Sequence, residues 1–174
     1  MGKITVLLLL TVLIPLTYLC PMQNQSSASM MNSENKPIVF EGVINIHNAN
    51  VRSDATVNSK IICKINKGDI VEVVRELYGW YKIRLPKTAP AFIKKNLVSL
   101  LNEKTARVLK NNVNIRLEPS ESSWILGKAS QNEVVHILKD LGEWYKIEPI
   151  NNSFGWIHKK LVDEVTNINK EVVR

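Results

Sequence analysis

The sequence contains few of the residues from which catalytic and metal sites are commonly built. Only two cysteines and three histidines occur among its 174 residues. Two cysteines do not make a disulfide framework. The histidines lie in separate segments, without the H-x-x-H or H-E-x-x-H spacing that brings ligands to one metal. The composition therefore gives no sign of a metal site, a cofactor or a catalytic centre.

Acidic residues are also fewer than basic ones: the chain has 23 Lys and Arg and 16 Asp and Glu, which gives a net charge of +7. An excess of this kind favours an anionic partner without naming one. The excess is uneven: residues 41–101 hold ten Lys and Arg against five Asp and Glu, whereas residues 102–163 hold nine against eight. The basic segment is either a solvated surface or a face toward an anionic polymer or a membrane.

One long hydrophobic run occurs, and it stands at the start of the chain. Lys3 precedes an apolar stretch of roughly 16 residues, the pattern of a secretory signal peptide. An uncleaved membrane helix is the alternative, but spanning needs about 20 apolar residues and Pro15 interrupts the run. We therefore interpret residues 1–20 as an export signal. Export makes nucleic acid an improbable partner and places the protein in the periplasm or cell envelope.

The export signal ends at Cys20, where a bacterial lipoprotein carries its lipidated cysteine. Cys20 is thus a lipidation candidate and a possible point of membrane attachment, although Leu19 stands where a small residue is expected. The competing cleavage site is the SSAS segment at 26–29. Residues 21–40 are rich in Ser, Asn and Gln and are expected to form a flexible tether.

The rest of the chain is an internal duplication. GWYKI at 79–83 and EWYKI at 143–147 stand 64 positions apart, and the same offset aligns NANVRS with NVNIRL, SKIICKI with SWILGKA, and AFIKKNLV with GWIHKKLV without a gap. Such self-similarity indicates one structural unit used twice. Cys63 aligns with Gly127, so the copies share no nucleophile, and Cys63 is expected to be a small buried apolar residue.

Each copy is expected to be all-β. Short β-branched runs such as VEVV and VVHIL alternate with turn residues, which is typical of a small barrel. Asn132 replaces Gly68 at one turn, and Asn is the next best residue for a positive φ. The pattern predicts five or six strands per copy, with a short helical turn at KKNL and HKKL.

Four motifs follow one another in a fixed order: N-[VI]-R, a Gly or Asn turn before a β-branched strand, W-Y-K-I, and G-W-I with K-x-L-V. This order resembles that of the bacterial SH3 domain. The resemblance implies small β-barrels of about 60 residues, found in exported and cell-wall-associated proteins. It divides the chain into a signal, a tether, barrel 1, barrel 2 and a tail, at residues 1–20, 21–40, 41–101, 103–165 and 166–174. Barrel 1 is expected to fold when expressed alone. The first copy departs from the pattern with Ala91-Phe92 in place of Gly155-Trp156.

The W-Y-K-I strand suggests where a ligand would bind. Alternation places Ile83 inside the barrel and Trp80 on the opposite side. Trp80 and Trp144 then either recognise a ligand or cover the mouth of the barrel. Arg52 and Arg116 either clamp a carboxylate or stack on the Trp and hold a loop.

Taken with the resemblance, these residues predict grooves that bind peptidoglycan, in particular its peptide portions, without catalysis. The alternative is a module that docks a peptide of another envelope protein. The ligand-binding candidates are Trp80, Tyr81, Arg52 and Phe92 in the first copy, and Trp144, Tyr145, Arg116 and Trp156 in the second.

Overall fold

The computed structural model describes Gly2 and residues 37–165. The predicted signal apart from Gly2, most of the predicted tether and the predicted tail 166–174 lie outside the described residues, and so does Cys20. The first strand begins at Pro37, so the last four residues of the segment expected to be tether belong to a strand. Among the described residues, no helix is long and apolar enough to cross a membrane.

The described residues form fourteen strands, which confirms the all-β class. The first repeat supplies β1 (Pro37–Ile44), β2 (Ala49–Arg52), β3 (Ile61–Ile65), β4 (Ile70–Leu77), β5 (Trp80–Arg84), β6 (Ala91–Lys94) and β7 (Val98–Asn102). The second supplies β8 (Thr105–Val108), β9 (Val113–Arg116), β10 (Ile125–Ala129), β11 (Val134–Asp140), β12 (Trp144–Ile147), β13 (Phe154–His158) and β14 (Val162–Glu164). Seven strands per repeat exceed the predicted five or six.

Local turn chemistry agrees with the sequence. Gly68 and Asn132 have φ values of 89° and 67°, which confirms the predicted positive-φ turn in both copies. The predicted helical turns are present as 3-10 turns at Lys95–Leu97 and Lys159–Leu161. Each 3-10 turn leads into a further strand, β7 or β14, and these are the strands that raise the count above six.

The two repeats exchange their last strands. The strands form two antiparallel sheets of seven strands, ordered β14-β1-β4-β5-β13-β2-β3 and β10-β9-β6-β12-β11-β8-β7, which we call sheet I and sheet II. Sheet I thus takes β13 and β14 from the second repeat, and sheet II takes β6 and β7 from the first. The boundaries 41–101 and 103–165 delimit sequence repeats, whereas each sheet contains strands of both.

The two connections that carry the exchange run beside each other. Residues 85–90 lead from sheet I to sheet II, and residues 148–153 lead back. The Leu85 N–H donates to the Ser153 carbonyl at 3.0 Å, and the Arg84 guanidinium donates to the Asn151 carbonyl. Leu85 and Ser153 are both buried. The crossing is therefore a packed part of the fold.

A glycine explains why β13 suits sheet I. A Cβ placed on Gly155 would lie 2.5 Å from Val51 Cγ1 and 2.9 Å from Leu85 Cδ2, closer than side-chain atoms approach. The repeat-equivalent residue is Ala91, which is completely buried in sheet II. If β6 folded back into sheet I, its alanine methyl would meet Val51. The sequence difference between β6 and β13 thus favours the exchanged arrangement.

The interior is continuous across both sheets. Alternate residues of the strands point inward and form a single hydrophobic cluster, as period-two burial predicts. Its fully buried aliphatic side chains include Ile44, Ile83, Ile93, Ile115, Ile147 and Ile157. The outward residues of the same strands form the faces on which ligands can bind.

Candidate ligand-binding faces

One row of side chains crosses the outer face of sheet I. Arg75 on β4 pairs with Lys82 on β5, Lys82 pairs with Trp156 on β13, and Trp156 pairs with Arg52 on β2. The four side chains are half-buried. Two predicted site residues, Trp156 and Arg52, thus meet across the repeat boundary.

Sheet II carries the equivalent row at the same 64-residue offset. Lys139 on β11 pairs with Lys146 on β12, Lys146 pairs with Phe92 on β6, and Phe92 pairs with Arg116 on β9. In each row the aromatic residue comes from the other repeat. The predicted sets are therefore regrouped: Trp156 joins Arg52, Trp80 and Tyr81, and Phe92 joins Arg116, Trp144 and Tyr145.

Trp80 and Trp144 lie outside the hydrophobic cluster, on the side predicted by alternation, but they are covered. Their exposed fractions are only 8% and 7%. The His158 ring packs edge-on against Trp80, with 5.2 Å between ring centroids, and the strand exchange brings His158 to this position. The burial favours the alternative in which each Trp covers the barrel.

Tyr81 and Tyr145 occupy equivalent inward positions with different surroundings. Phe40 packs edge-on against Tyr81 at 5.4 Å, and the Lys159 ammonium lies 5.4 Å from the same ring. The Lys95 ammonium lies 4.9 Å from the Tyr145 ring. The repeat-equivalent of Phe40 is Lys104, so sheet II has no aromatic ring where Phe40 fills sheet I.

An open groove of about 660 Å³ results beside Tyr145, which we call the Tyr145 groove. Apolar and charged side chains of β7, β11, β12 and the β7–β8 turn line it: Leu100, Ile137, Leu138, Tyr145, Glu103, Lys104, Lys139 and Asp140. Of these residues, sequence reasoning named only Tyr145. The difference between Phe40 in the first repeat and Lys104 in the second is the sequence feature that could have indicated the groove.

Asp140, which lines the Tyr145 groove, forms an ion pair with Lys95. Lys95 Nζ lies 2.6 Å from Asp140 Oδ2. The hydrogen bond from Lys95 lowers the pKa of the Asp140 carboxyl, and the same bond raises the pKa of the Lys95 ammonium. Both groups therefore stay charged near neutral pH, and the groove offers charges of both signs beside an apolar surface.

Arg52 and Arg116 perform the same structural task in the two repeats. Each Nη1 donates to a carbonyl seven residues later, Arg52 to Ser59 and Arg116 to Ser123, both at 2.7 Å. These bonds hold the loops between β2 and β3 and between β9 and β10. The geometry supports the loop-holding alternative.

Trp124 is an exposed aromatic residue that sequence reasoning missed. It precedes β10 and is 50% exposed, while its carbonyl accepts a hydrogen bond from the Leu117 N–H at 3.0 Å. Its repeat-equivalent is Lys60. The alignment of the two repeats could have revealed Trp124, because SWILGKA has a tryptophan at the position where SKIICKI has a lysine.

The described residues gather little that could carry chemistry. Within residues 37–165, no group of three or more His, Cys, Asp or Glu is placed to hold a metal ion. Cys63 is half-buried against the hydrophobic cluster, and burial raises the pKa of its thiol to about 11. A thiol that stays protonated at neutral pH is a poor nucleophile.

Comparison with known proteins identifies the fold. The family model described as "Bacterial SH3 domain" matches residues 47–99 and again residues 111–163. This chain belongs to the bacterial SH3 domain family. The two matches confirm that the 64-residue repeat consists of two tandem bacterial SH3 domains.

One curated relative carries a similar segment. The Bacillus subtilis (strain 168) protein named "Putative N-acetylmuramoyl-L-alanine amidase YrvJ" is 26% identical over 129 residues, which cover 67% of this chain and 25% of the relative. The chain thus matches about a quarter of that protein's length.

Proposed function

We propose that this bacterial SH3 protein is a non-catalytic protein of the cell envelope that binds peptidoglycan through its peptide portions. The observation that carries the proposal is the Tyr145 groove. Its apolar side chains suit the methyl groups of a wall peptide, and its lysines and carboxylates match the carboxylate and amino groups of such a peptide. The name of the B. subtilis relative supports a wall ligand, since that name refers to cleavage at a bond of peptidoglycan.

The absence of catalysis is part of the proposal. Cys63 has a raised pKa and aligns with Gly127, so no thiol nucleophile recurs between the repeats. His47, His136 and His158 are also not repeat-equivalent. The chain matches only a quarter of the relative, and the match therefore does not carry the relative's named activity to this chain.

Co-sedimentation of the protein with purified sacculi tests the wall ligand and its place. Leu138 and Leu100 are 52% and 55% exposed, so Leu138→Ser and Leu100→Ser remove groove surface with little effect on folding. We expect each to weaken binding about tenfold, a change of about 1.4 kcal/mol. Ile70→Ser is the matched control, because Ile70 is 60% exposed and lies in sheet I outside the groove.

The outcomes separate the alternatives. Equal binding by all three variants would place the wall ligand outside the Tyr145 groove. Failure of the unaltered protein to sediment with sacculi would contradict the peptidoglycan proposal and favour docking of an envelope protein's peptide. The site candidates outside the groove, including Trp80, Trp144, Arg52 and Arg116, are then the next to substitute.

Export and anchoring belong to the same proposal and have their own measurement. Mass spectrometry of the protein from membranes and periplasm should find a mature chain that begins at Cys20 or near residue 29. An acyl mass on Cys20 would establish a lipoprotein. An intact Met1 on the mature protein would contradict cleavage.

A further inference from the structure

Aromatic rings hold a group of cations together on the outer side of sheet I. The Lys82 ammonium lies 4.6 Å from the centroid of Phe154 and 6.0 Å from that of Trp156. The Arg84 guanidinium carbon lies 5.6 Å from the Phe154 centroid. Such contacts orient a cation while leaving its N–H groups free to donate. We call the surface formed by Arg52, Arg75, Lys82, Arg84, Phe154 and Trp156 the basic face.

The cations of the basic face are poorly compensated. Within residues 37–165, Arg84 is the only one of the four with a carboxylate in ion-pair contact, Glu72 at 2.8 Å. The Arg75 Nε is buried and has no hydrogen-bond partner among the described residues. Partial burial, and then the charge of Arg75, lower the pKa of the Lys82 ammonium. Because an unpaired buried donor or charge costs free energy, an anion bound here would stabilise both groups.

The equivalent surface of sheet II lacks this arrangement. At the 64-residue offset, Glu148 replaces Arg84 and Pro90 replaces Phe154. One cation becomes a carboxylate, and the aromatic ring that holds Lys82 is absent. Lys139 and Lys146 remain as equivalents of Arg75 and Lys82, but Lys139 lines the Tyr145 groove. Lys146 on β12 and Lys128 on β10 lie in sheet II outside that groove, and they provide a control pair with the same change in charge.

The shape of the row indicates the kind of anion. Arg75, Lys82, Trp156 and Arg52 lie on four adjacent strands, and strands are about 4.8 Å apart, so the row extends about 14 Å. A row of this length fits several anionic groups along one chain better than a single small ion. The four cations are half-buried, and Lys82 lies against two aromatic rings, so they do not project as the lysines of a membrane-binding patch do. Rings between charges suit a polymer that alternates sugar rings with anionic groups.

We propose that the basic face binds an anionic glycan, with its phosphate or carboxylate groups on Arg75 and Lys82 and a sugar ring against Trp156. The site is separate from the Tyr145 groove of sheet II and does not depend on a peptide ligand there. It is also composite, since Phe154 and Trp156 come from the second repeat and the four cations from the first. The exchange of β13 is therefore required to build it.

Isothermal titration calorimetry of the purified protein tests the proposal with defined probes. Phosphorylated dextran presents phosphates on sugar rings, polygalacturonate presents carboxylates on sugar rings, and unmodified dextran is the neutral control. We expect binding to at least one anionic polymer and none to unmodified dextran, and the stronger polymer identifies the anion. The Arg75→Gln/Lys82→Gln variant should bind that polymer at least tenfold more weakly, whereas Lys128→Gln/Lys146→Gln should stay within twofold of the unaltered protein.

Two further measurements test whether the charges of Arg75 and Lys82 themselves bind the polymer. The salt dependence of log K for the Arg75→Gln/Lys82→Gln variant should be shallower by about one to two units, because fewer counterions are released when two cations are removed. If that variant melts early, Lys82→Met retains the alkyl stem against Phe154 and removes the charge alone. It should still lower the affinity several-fold.

Other outcomes overturn the proposal. Equal weakening by both double variants would mean that net charge, and not the basic face, attracts the polymer. No binding to either anionic polymer would contradict it directly. Binding through Lys82 to phosphatidylglycerol vesicles or to a thymidine 20-mer, at equal or higher affinity, would assign the face to a membrane or to nucleic acid. Sacculi stripped of anionic polymers should still bind through the Tyr145 groove, so failure here and failure of the proposed function remain distinguishable.

Discussion

Cutting the chain after residue 101 should leave the first repeat without a stable monomeric barrel, because sheet I needs β13 and β14. This outcome is contrary to the expectation from sequence that barrel 1 folds alone. Sheet I draws Ile157 and Val162 from the second repeat, and both side chains are buried in it. Burying an aliphatic side chain of this kind contributes about 1.5–3 kcal/mol, so their loss removes about 3–6 kcal/mol. A whole domain is stable by only about 5–15 kcal/mol, and a domain near 60 residues is marginal.

The first repeat's own strand β6 is a poor substitute for β13. If β6 took the place of β13, Ala91 would stand where a Cβ lies 2.5 Å from Val51 Cγ1. The same contact would occur if two copies of the fragment exchanged β6 with each other. We therefore expect fragment 41–101 to show little β signal in far-UV circular dichroism and no cooperative urea transition, despite its sequence resemblance to a complete domain.

A rejoined chain that keeps all of sheet I should restore folding. Arg84 and Phe154 are paired neighbours on adjacent antiparallel strands, so a two-residue Asn-Gly turn can join residue 84 to residue 154 as a hairpin. The resulting polypeptide, residues 37–84 followed by 154–165, contains every strand of sheet I. It should be monomeric by light scattering and unfold cooperatively. A fragment 41–101 that folds as a monomer with greater stability than this polypeptide would refute the reasoning.

Three other measurements test the same structure. Gly155→Ala should lower the free energy of unfolding in urea by about 1–3 kcal/mol, through overpacking against Val51; equal stability would show that the strand accommodates the methyl group. Trp80→Ala should lower the free energy of unfolding by about 3–5 kcal/mol and lower the melting temperature, because the indole is almost completely buried. An unchanged melting temperature with lost sacculus binding would make Trp80 a ligand contact. The pKa of the Cys63 thiol is raised to about 11, against about 8.5 in an unfolded chain. Its contribution to stability should thus be complete below about pH 8.5 and decline as the pH rises toward 11, and urea unfolding between pH 7 and 10.5 should show a decline that is absent in Cys63→Ala.

The sequence by itself determined the repeat, the family and the local conformations. The gapless 64-residue offset showed two copies of one unit, because a duplicated fold keeps its motifs at constant spacing. Alternation in W-Y-K-I placed Ile83 in the interior, since successive strand residues point to opposite faces. Asn132 in place of Gly68 predicted a positive-φ turn, which depends on the residue itself and its immediate neighbours.

The tertiary structure alone decided which strands complete which sheet. The β6 and β13 segments are similar enough for either to pair with β5 or with β12, and strand pairing is a long-range choice that residue order does not specify. The choice depends on fit, with Gly155 clearing Val51 where Ala91 would not. The sites follow from that choice: the His158 ring packs edge-on against Trp80, and Trp156 pairs with Lys82 and Arg52 on the basic face. Contacts between residues about 75 to 105 positions apart create these surfaces, and such contacts exist only once the chain has exchanged its strands.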